Sequence, residues 1–181
     1  MDKLGITYDI CPGVSSFCGA AAALKAEYTL PGISQSVVIT RMAGRTPVPE
    51  KESIRSFAAH QATMVLFLST GMLEKLSEEL VAGGYQEETP AAIVYKATWP
   101  EQKVLRCTVG TLEQTAREAD VTKTALIVVG EVLDGTYERS KLYDPTFTTE
   151  FRQASCSKKE LGQTGENQSK EMRQEAEGQS K

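Results

Sequence analysis

The chain has 181 residues, of which 40% are hydrophobic and 24% are charged, and its formal net charge is −4. This length corresponds to one domain or to one domain with appendages, so a large multidomain assembly is excluded. The composition is close to globular averages and permits a packed core. The net negative charge provides no positive field to attract nucleic acid or an anionic membrane, so we expect neither as a partner.

The predicted elements are short apolar runs that alternate with helical patterns, which is typical of an α/β fold. In chain order they are strand 6–10, helix 17–24, strand 36–41, helix 53–60, strand 63–68, a helix beginning after Ser69 or Thr70, strand 91–96, strand 104–108, helix 111–118 and strand 124–129.

Two of these elements indicate how the sheet is covered. The run at 63–68 is apolar at nearly every position, which suits a strand buried on both faces. The helix that follows carries one apolar stripe and ends at Gly83-Gly84. We therefore predict a mixed sheet flanked by helices.

The last part of the chain differs in composition. An aromatic-rich segment at 137–147 is expected to close an edge of the core. Residues 155–181 contain only Leu161 and Met172 as large apolar side chains, which is too little to offset the entropy lost on ordering. We predict a disordered polar tail over 153–181, and its mixed charges favour plain solvation over a partner-binding arm.

The cysteines and the N-terminal segment bear on metal sites and location. The four cysteines form no CxxC pair, and the lone His60 cannot complete a Cys/His zinc quartet, so we expect no metal site. The segment at 1–13 lacks the patterns of common targeting signals, and no apolar run approaches the roughly 18 residues of a membrane span. We expect a soluble, cytoplasmic protein with reduced thiols.

Several familiar catalytic motifs are missing. The sequence contains no GxGxxG, GxxxxGK[ST] or GxSxG pattern, which disfavours Rossmann enzymes, P-loop enzymes and serine hydrolases. His60 is more readily explained as a solvated residue at a helix end than as a general base. Catalytic residues cannot be assigned from these patterns.

Two loops that directly follow predicted strands are better candidates for binding. Arg41 and Arg45 lie on a glycine-containing loop, where guanidinium groups could grip carboxylates, although surface arginines in loose ion pairs explain them equally well. The loop that begins at Lys96 offers a cation, a hydroxyl and Trp99. A tryptophan there is more often a core residue than a ligand platform.

Four stretches of the sequence closely resemble the tetrapyrrole methylase family, over about residues 6–152. They are CPGVSSFCGAAAAL, SQSVVITRMAGRTPVPEKESIRSFAAHQATMVLFLS, PAAIVYKATWPEQKVLRCTVGTL and KTALIVVGEVL. Within the family, ITRMAGRTPVPE and YKATWPEQ are similar to the members that methylate precorrin-4 or cobalt-precorrin-4 at C11 in cobalamin biosynthesis.

The resemblance implies a two-domain α/β enzyme, usually a homodimer, that methylates a tetrapyrrole. The methyl donor is S-adenosyl-L-methionine, written S-adenosylmethionine below. It assigns cofactor contacts to Ser15 and Ser16 beside the methionine portion, to Leu68 at the adenosyl group and to Ala97 at the adenine. It also places the Arg41/Arg45 loop at the substrate mouth.

The family's GxGPGD-like loop and GDPxxYG-like motif do not occur in this sequence. We therefore expect residues 1–32 to be a remnant of the cofactor-binding first domain with its linker, and residues 33–152 to be the second domain. The alternative is a non-catalytic half-enzyme, a dimerisation or substrate-binding subunit whose cofactor loops come from another chain.

Overall fold

A five-stranded mixed sheet organises the computed structural model of this chain, which describes residues 1–135 and the isolated positions 148, 150 and 153. Residues 1–135 belong to one compact unit, Met1–Tyr137. The segment at 137–147 and the polar tail lie outside the described residues, apart from those isolated positions. The predicted division of the chain into domains stays a prediction.

Nine helices and strands of the described residues build the fold, joined by short 3₁₀ turns. They are α1 (Ser16–Leu24), β1 (Val37–Arg41), α2 (Ile54–Ala58), β2 (Thr63–Phe67), α3 (Leu73–Gly83), β3 (Pro90–Tyr95), β4 (Lys103–Thr108), α4 (Leu112–Glu118) and β5 (Ala125–Val129).

The strand order is β1-β2-β5-β3-β4. β1 runs parallel to β2, with Arg41 opposite Phe67, whereas β5 lies antiparallel to both β2 and β3, with Tyr95 opposite Ala125. Because of these directions, β1, β2 and β3 end where β5 begins. We call this the carboxyl end of the sheet.

One face of the sheet, the helix face, is covered by α2, α3 and α4. Alternate residues of a strand point to opposite faces, and Met64 and Ile127 point to this one. They pack with Leu76 and Leu80 of α3 and with Leu112 of α4, all fully buried. The predicted apolar stripe of α3 is therefore the face that packs on the sheet.

The opposite face, the α1 face, is covered by α1 and by irregular chain. Ala20 and Leu24 of α1 pack on Val65 and Val128 of the sheet. The Tyr28 hydroxyl donates to the Phe17 carbonyl (2.9 Å), and the Thr63 hydroxyl donates to the Tyr28 carbonyl (2.7 Å). Side-chain hydrogen bonds thus tie α1 and the chain after it to β2.

The mixed α/β fold predicted from the sequence is confirmed, and every predicted helix and strand from 17–24 onwards is present with small shifts of its ends. The predicted strand at 6–10 is wrong. These residues are irregular, with Ile6 and Tyr8 half exposed and Ile10 84% exposed. No strand within 1–135 pairs with them, and a strand needs a partner for its backbone groups.

None of the helices in the described part of the chain is long and apolar enough to cross a bilayer.

Candidate functional site

Three residues at the carboxyl end of the sheet have left-handed backbone conformations. Leu68 directly follows β2 (φ +52°), Lys96 directly follows β3 (φ +45°) and Thr124 directly precedes β5 (φ +57°). The Lys96 N–H donates to the Thr124 carbonyl at 3.0 Å. Residues with a side chain adopt positive φ at an energetic cost, and such strain concentrates at functional sites.

These three residues line a cleft of about 400 Å³ that opens at this end of the sheet. Its volume is within the range of ligand pockets, which is about 300–1,000 Å³. The cleft is lined by Ser16, Phe67, Leu68, Thr70, Gly71, Val94, Lys96, Ala97, Trp99, Thr122, Lys123, Thr124, Ala125 and Leu126.

The lining combines an apolar floor with hydroxyl groups and two lysines. Phe67, Val94 and Leu126 provide the floor, and no carboxylate is among the lining residues. The first turn of α1 reaches the cleft at Ser16, and no side chain caps that helix end. Its amide N–H groups carry a partial positive charge. The site therefore suits a ligand with a flat apolar part and an anionic group.

The loop after β3 is held from two sides. Its turn is closed by the Gln102 side chain, whose Oε1 accepts from the Thr98 N–H at 2.7 Å. On the other side, Gly19 of α1 packs so closely that a Cβ there would lie 3.2 Å from Thr98 Cγ2 and 3.6 Å from the Ala97 Cβ. The loop that carries Ala97 therefore packs directly against α1.

Lys96 and Trp99 form the polar rim of the cleft. The Lys96 ammonium lies 5.3 Å from the Trp99 ring centre, 5.4 Å from the Tyr95 ring centre and 3.6 Å from a Glu101 carboxylate oxygen. Trp99 is 57% exposed, so the interpretation of this tryptophan as a core residue is wrong. It is a wall of the cleft.

The structure brings three of the four predicted cofactor residues together. Ser16, Leu68 and Ala97 line the same cleft although they are far apart in sequence. Ser15 precedes α1 in extended backbone, is exposed and is not among the lining residues. The cofactor assignments remain predictions that this arrangement supports for three of the residues.

The two predicted substrate arginines differ in their contacts, and neither lines the cleft. Arg41 Nη1 donates to the Met42 and Thr46 carbonyls, both at 3.1 Å, and Nη2 donates to the Pro47 carbonyl at 3.3 Å. Arg41 therefore closes its own loop. Arg45 lies on that loop and is exposed.

Sequence reasoning missed the segment 122–124 and Thr70 as parts of the site. Thr70 is buried, and its hydroxyl donates to the Ala125 carbonyl at 3.3 Å. The signal for these residues is positional, because each lies within three residues of a strand end. Only the antiparallel placement of β5 brings the start of that strand to the same end of the sheet.

The groups with shifted pKa values lie away from the cleft. Burial raises the pKa of Tyr28 and of Tyr85 to about 12, with smaller contributions from Cys18 and Glu131. Burial raises the pKa of the Cys107 thiol to about 11, opposed by a hydrogen bond from Thr115. None of these groups lines the cleft, so we assign them to the packing of the fold.

Sequence comparison finds a profile of "Tetrapyrrole (Corrin/Porphyrin) Methylases" matching residues 1–113. Among curated relatives, a cobalt-precorrin-4 C(11)-methyltransferase of Methanocaldococcus jannaschii is 50% identical over 155 residues, which are 85% of this chain and 60% of the relative. One from Priestia megaterium is 45% identical over 84% of this chain and 60% of its own length. The chain thus spans about 60% of the length of these two relatives.

Structure comparison gives the same picture. The X-ray structure of a cobalt-precorrin-4 methyltransferase matches with a TM-score of 0.72 and 44% identity, covering 74% of this chain and 56% of that one. A uroporphyrin-III C-methyltransferase from Thermus thermophilus, complexed with S-adenosylhomocysteine, matches with a TM-score of 0.60 and 20% identity, covering 76% and 56%. At that identity the second match supports the fold alone.

Proposed function

The chain belongs to the tetrapyrrole methylase family, and from this membership we propose that it serves the S-adenosylmethionine-dependent methylation of precorrin-4 or cobalt-precorrin-4 at C11. Relatives named cobalt-precorrin-4 or precorrin-4 C(11)-methyltransferase are 40–50% identical to the chain. In this proposal the cleft receives the cofactor and the Arg41/Arg45 loop receives the tetrapyrrole.

One observation carries the proposal, namely the meeting of Ser16, Leu68 and Ala97 in a single cleft. Leu68 is 81% exposed, although a buried strand precedes it. A left-handed, exposed leucine is costly twice over, in backbone strain and in apolar exposure. An adenosyl group that covers this residue would remove the apolar exposure.

The substrate side of the proposal uses the two arginines differently. Arg41 holds the loop together through three backbone carbonyls, and Arg45 is the exposed guanidinium that this loop presents. Carboxylates on a tetrapyrrole are natural partners for guanidinium groups because both form bidentate hydrogen bonds. The loop leaves β1 at the same end of the sheet as the cleft.

The cofactor supplies an activated methyl group on a sulfonium. The protein's task is therefore to align donor and acceptor and to exclude water, rather than to form a covalent intermediate. The lining of the cleft fits this task, because it offers shape, backbone groups and hydroxyls but no carboxylate or histidine.

The cofactor assignment is tested by amide NMR during titration with S-adenosylhomocysteine. We expect shifts at Leu68, at Ala97 and in the segment 122–126, since these positions line the cleft. Homocysteine, which lacks the adenosyl group, is the control and should leave Leu68 and Ala97 unshifted. No shift at these positions at millimolar ligand would contradict the assignment.

The substrate assignment is tested by tetrapyrrole titration of Arg45→Ala. Loss of a hydrogen bond to a charged group costs about 1.5–3 kcal/mol, so binding should weaken about ten- to a hundredfold. Arg45→Lys should restore only part of it, because an ammonium cannot replace a bidentate fork. Arg41→Ala should weaken binding as well, through the loop.

Arg117→Ala is the matched control, since Arg117 lies on α4 in an exposed ion pair with Glu113. Unchanged affinity in both Arg41→Ala and Arg45→Ala would return these residues to ordinary surface arginines. Tetrapyrrole binding without methyl transfer from S-adenosylmethionine would favour the alternative of a non-catalytic substrate-binding subunit.

The expected homodimer is tested by light scattering, which measures the molar mass of the protein in solution.

A further inference from the structure

Ser69 is a buried serine on the loop that follows β2, and it contacts the neighbouring arginine loop that follows β1. It directly follows the strained Leu68, and its residue surface is fully inaccessible. Its hydroxyl donates to the Phe67 carbonyl at 2.8 Å and accepts from the Met42 N–H at 3.1 Å. The hydroxyl thus uses its one donor and one of its two acceptor lone pairs.

These two bonds join the ends of neighbouring parallel strands. Phe67 is the last residue of β2 and pairs with Arg41, the last residue of β1. Met42 is therefore the first residue beyond the β1–β2 ladder, and its N–H donates to the Ser69 hydroxyl. The hydroxyl thus joins the two chains at the point where the loops after β1 and β2 diverge.

The Ser69 hydroxyl acts on both loops. On the β2 side its bond to the Phe67 carbonyl spans the left-handed Leu68. On the β1 side Met42 is buried, and its carbonyl accepts from Arg41, whose guanidinium also binds the Thr46 carbonyl. A movement of the backbone at Leu68 is therefore transmitted to the arginine loop through the Ser69 hydroxyl and the Met42 amide.

We propose that Ser69 is a positioning residue that couples the cleft to the arginine loop. A ligand that occupies the cleft at Leu68 then changes how well residues 42–46 are ordered. The proposal rests on the proposed function, because it names the adenosyl ligand and the substrate loop as the coupled partners. The consequence is that cofactor and tetrapyrrole bind with mutual dependence, since a coupling free energy acts in both directions.

The ligand-free protein provides the first test, through amide hydrogen exchange in Ser69→Ala. The Met42 N–H loses its acceptor in this variant. Its exchange rate should rise about tenfold or more, beyond any rise shared by amides that exchange through global unfolding, as expected for loss of about one hydrogen bond. Ser69→Thr keeps a hydroxyl and should restore most of the protection. Unchanged Met42 exchange in Ser69→Ala would overturn the proposed link.

Ser77→Ala is the matched control for that test. The Ser77 hydroxyl also donates to a backbone carbonyl, that of Val109 at 2.7 Å, but it lies on α3 away from both loops. It should therefore change global stability without selectively exposing the Met42 amide. Equal acceleration at Met42 in both serine variants would show a general loss of stability and would overturn the proposal.

The second test adds S-adenosylhomocysteine. In the unaltered chain, amide shifts at Leu68 should be accompanied by shifts at residues 42–46, whereas in Ser69→Ala the shifts at Leu68 should remain and those at 42–46 should shrink at least about twofold. Shifts at Leu68 with none at 42–46 in the unaltered chain would overturn the coupling and leave the proposed function intact. No shift at any of these residues would remove the proposed cofactor site and the coupling with it.

Discussion

The helix face and the α1 face of the sheet contribute differently to the protein. Three helices cover the helix face, and its buried cluster extends from Met42 to Val129. The α1 face has one nine-residue helix, and irregular chain completes its cover. The floor of the cleft, formed by Phe67, Val94 and Leu126, belongs to the α1 face. The larger buried cluster thus lies on the face opposite the floor of the cleft.

The α1 face compensates for its thinner cover with hydrogen bonds from side chains to backbone carbonyls. Arg106 of β4 donates to the Leu24 carbonyl at the end of α1 (3.1 Å) and to the Leu133 carbonyl (3.0 Å). Tyr28 and Thr63 add the bonds described above. Such bonds hold positions with little apolar burial, which leaves room at the carboxyl end for a ligand.

The largest change in the free energy of unfolding is expected from Gly83→Ala on the helix face. A Cβ at Gly83 would lie 2.4 Å from the Ala58 Cβ and 2.6 Å from the Arg55 carbonyl oxygen. Since α2 would have to move away from α3, we expect a loss of about 3 kcal/mol in the free energy of unfolding, the upper end for overpacking. Urea denaturation measures it.

The control for that substitution is Gly13→Ala, because a Cβ at this exposed glycine meets no atom within 4 Å. Its unfolding free energy should match that of the unaltered chain. Equal stability of Gly83→Ala and Gly13→Ala would show that the α2–α3 contact is not the tight part of the core.

An intermediate effect is expected at alkaline pH from Tyr28 on the α1 face and Tyr85 on the helix face. Burial raises each pKa to about 12, from an unfolded value of 10.0. Between these pH values the unfolded chain releases protons that the folded chain keeps, so stability falls as pH rises. We expect a loss of about 1–2 kcal/mol for each tyrosine.

Single phenylalanine variants separate the two contributions. The unfolding free energy of Tyr28→Phe or Tyr85→Phe should decline less steeply from about pH 9 to about pH 12 than that of the unaltered chain. Each variant also loses one hydrogen bond, to the Phe17 or the Ala62 carbonyl respectively, which lowers stability at all pH values. Parallel pH profiles for all three proteins would contradict the assignment of the alkaline loss to these groups.

The sequence predicts the helix face better than the α1 face, for physical reasons. The apolar run of β2 and the spaced leucines of α3 reflect burial that is nearly complete. The segment at 6–10 alternates apolar and polar residues as a half-buried strand does, but it is not a strand, because pairing depends on a partner that a local pattern does not contain.

The site shows the same limit. Glycine at a turn is visible in a sequence, but the left-handed conformations of Leu68, Lys96 and Thr124 occur in residues that rarely adopt them. Tertiary contacts, such as the Lys96 amide with the Thr124 carbonyl, impose them. The resemblance to the family names Leu68 and Ala97 together as cofactor contacts, and the structure brings both into one cleft. Their role as cofactor contacts stays a prediction.

The smallest effect on stability, and the sharpest test of the comparison, is expected from Gly19→Ala on the α1 face. The added methyl would lie 3.2 Å from Thr98 Cγ2, a contact that a shift of a few tenths of an ångström relieves. Alanine also favours the helix by up to about 1 kcal/mol over glycine. Because these effects oppose each other, the unfolding free energy should change by less than about 1 kcal/mol.

The same substitution should affect ligand binding, because the loop that yields is the one that carries Ala97. We expect the affinity for S-adenosylhomocysteine to fall severalfold while urea denaturation stays nearly unchanged. Ala22→Gly, at an exposed position of α1, calibrates the helix propensity and should lower stability without changing affinity. If Gly19→Ala instead lost stability as Gly83→Ala does and kept its affinity, the α1 face would be as tightly packed as the helix face. The separation of stability from ligand binding between the two faces would then be wrong.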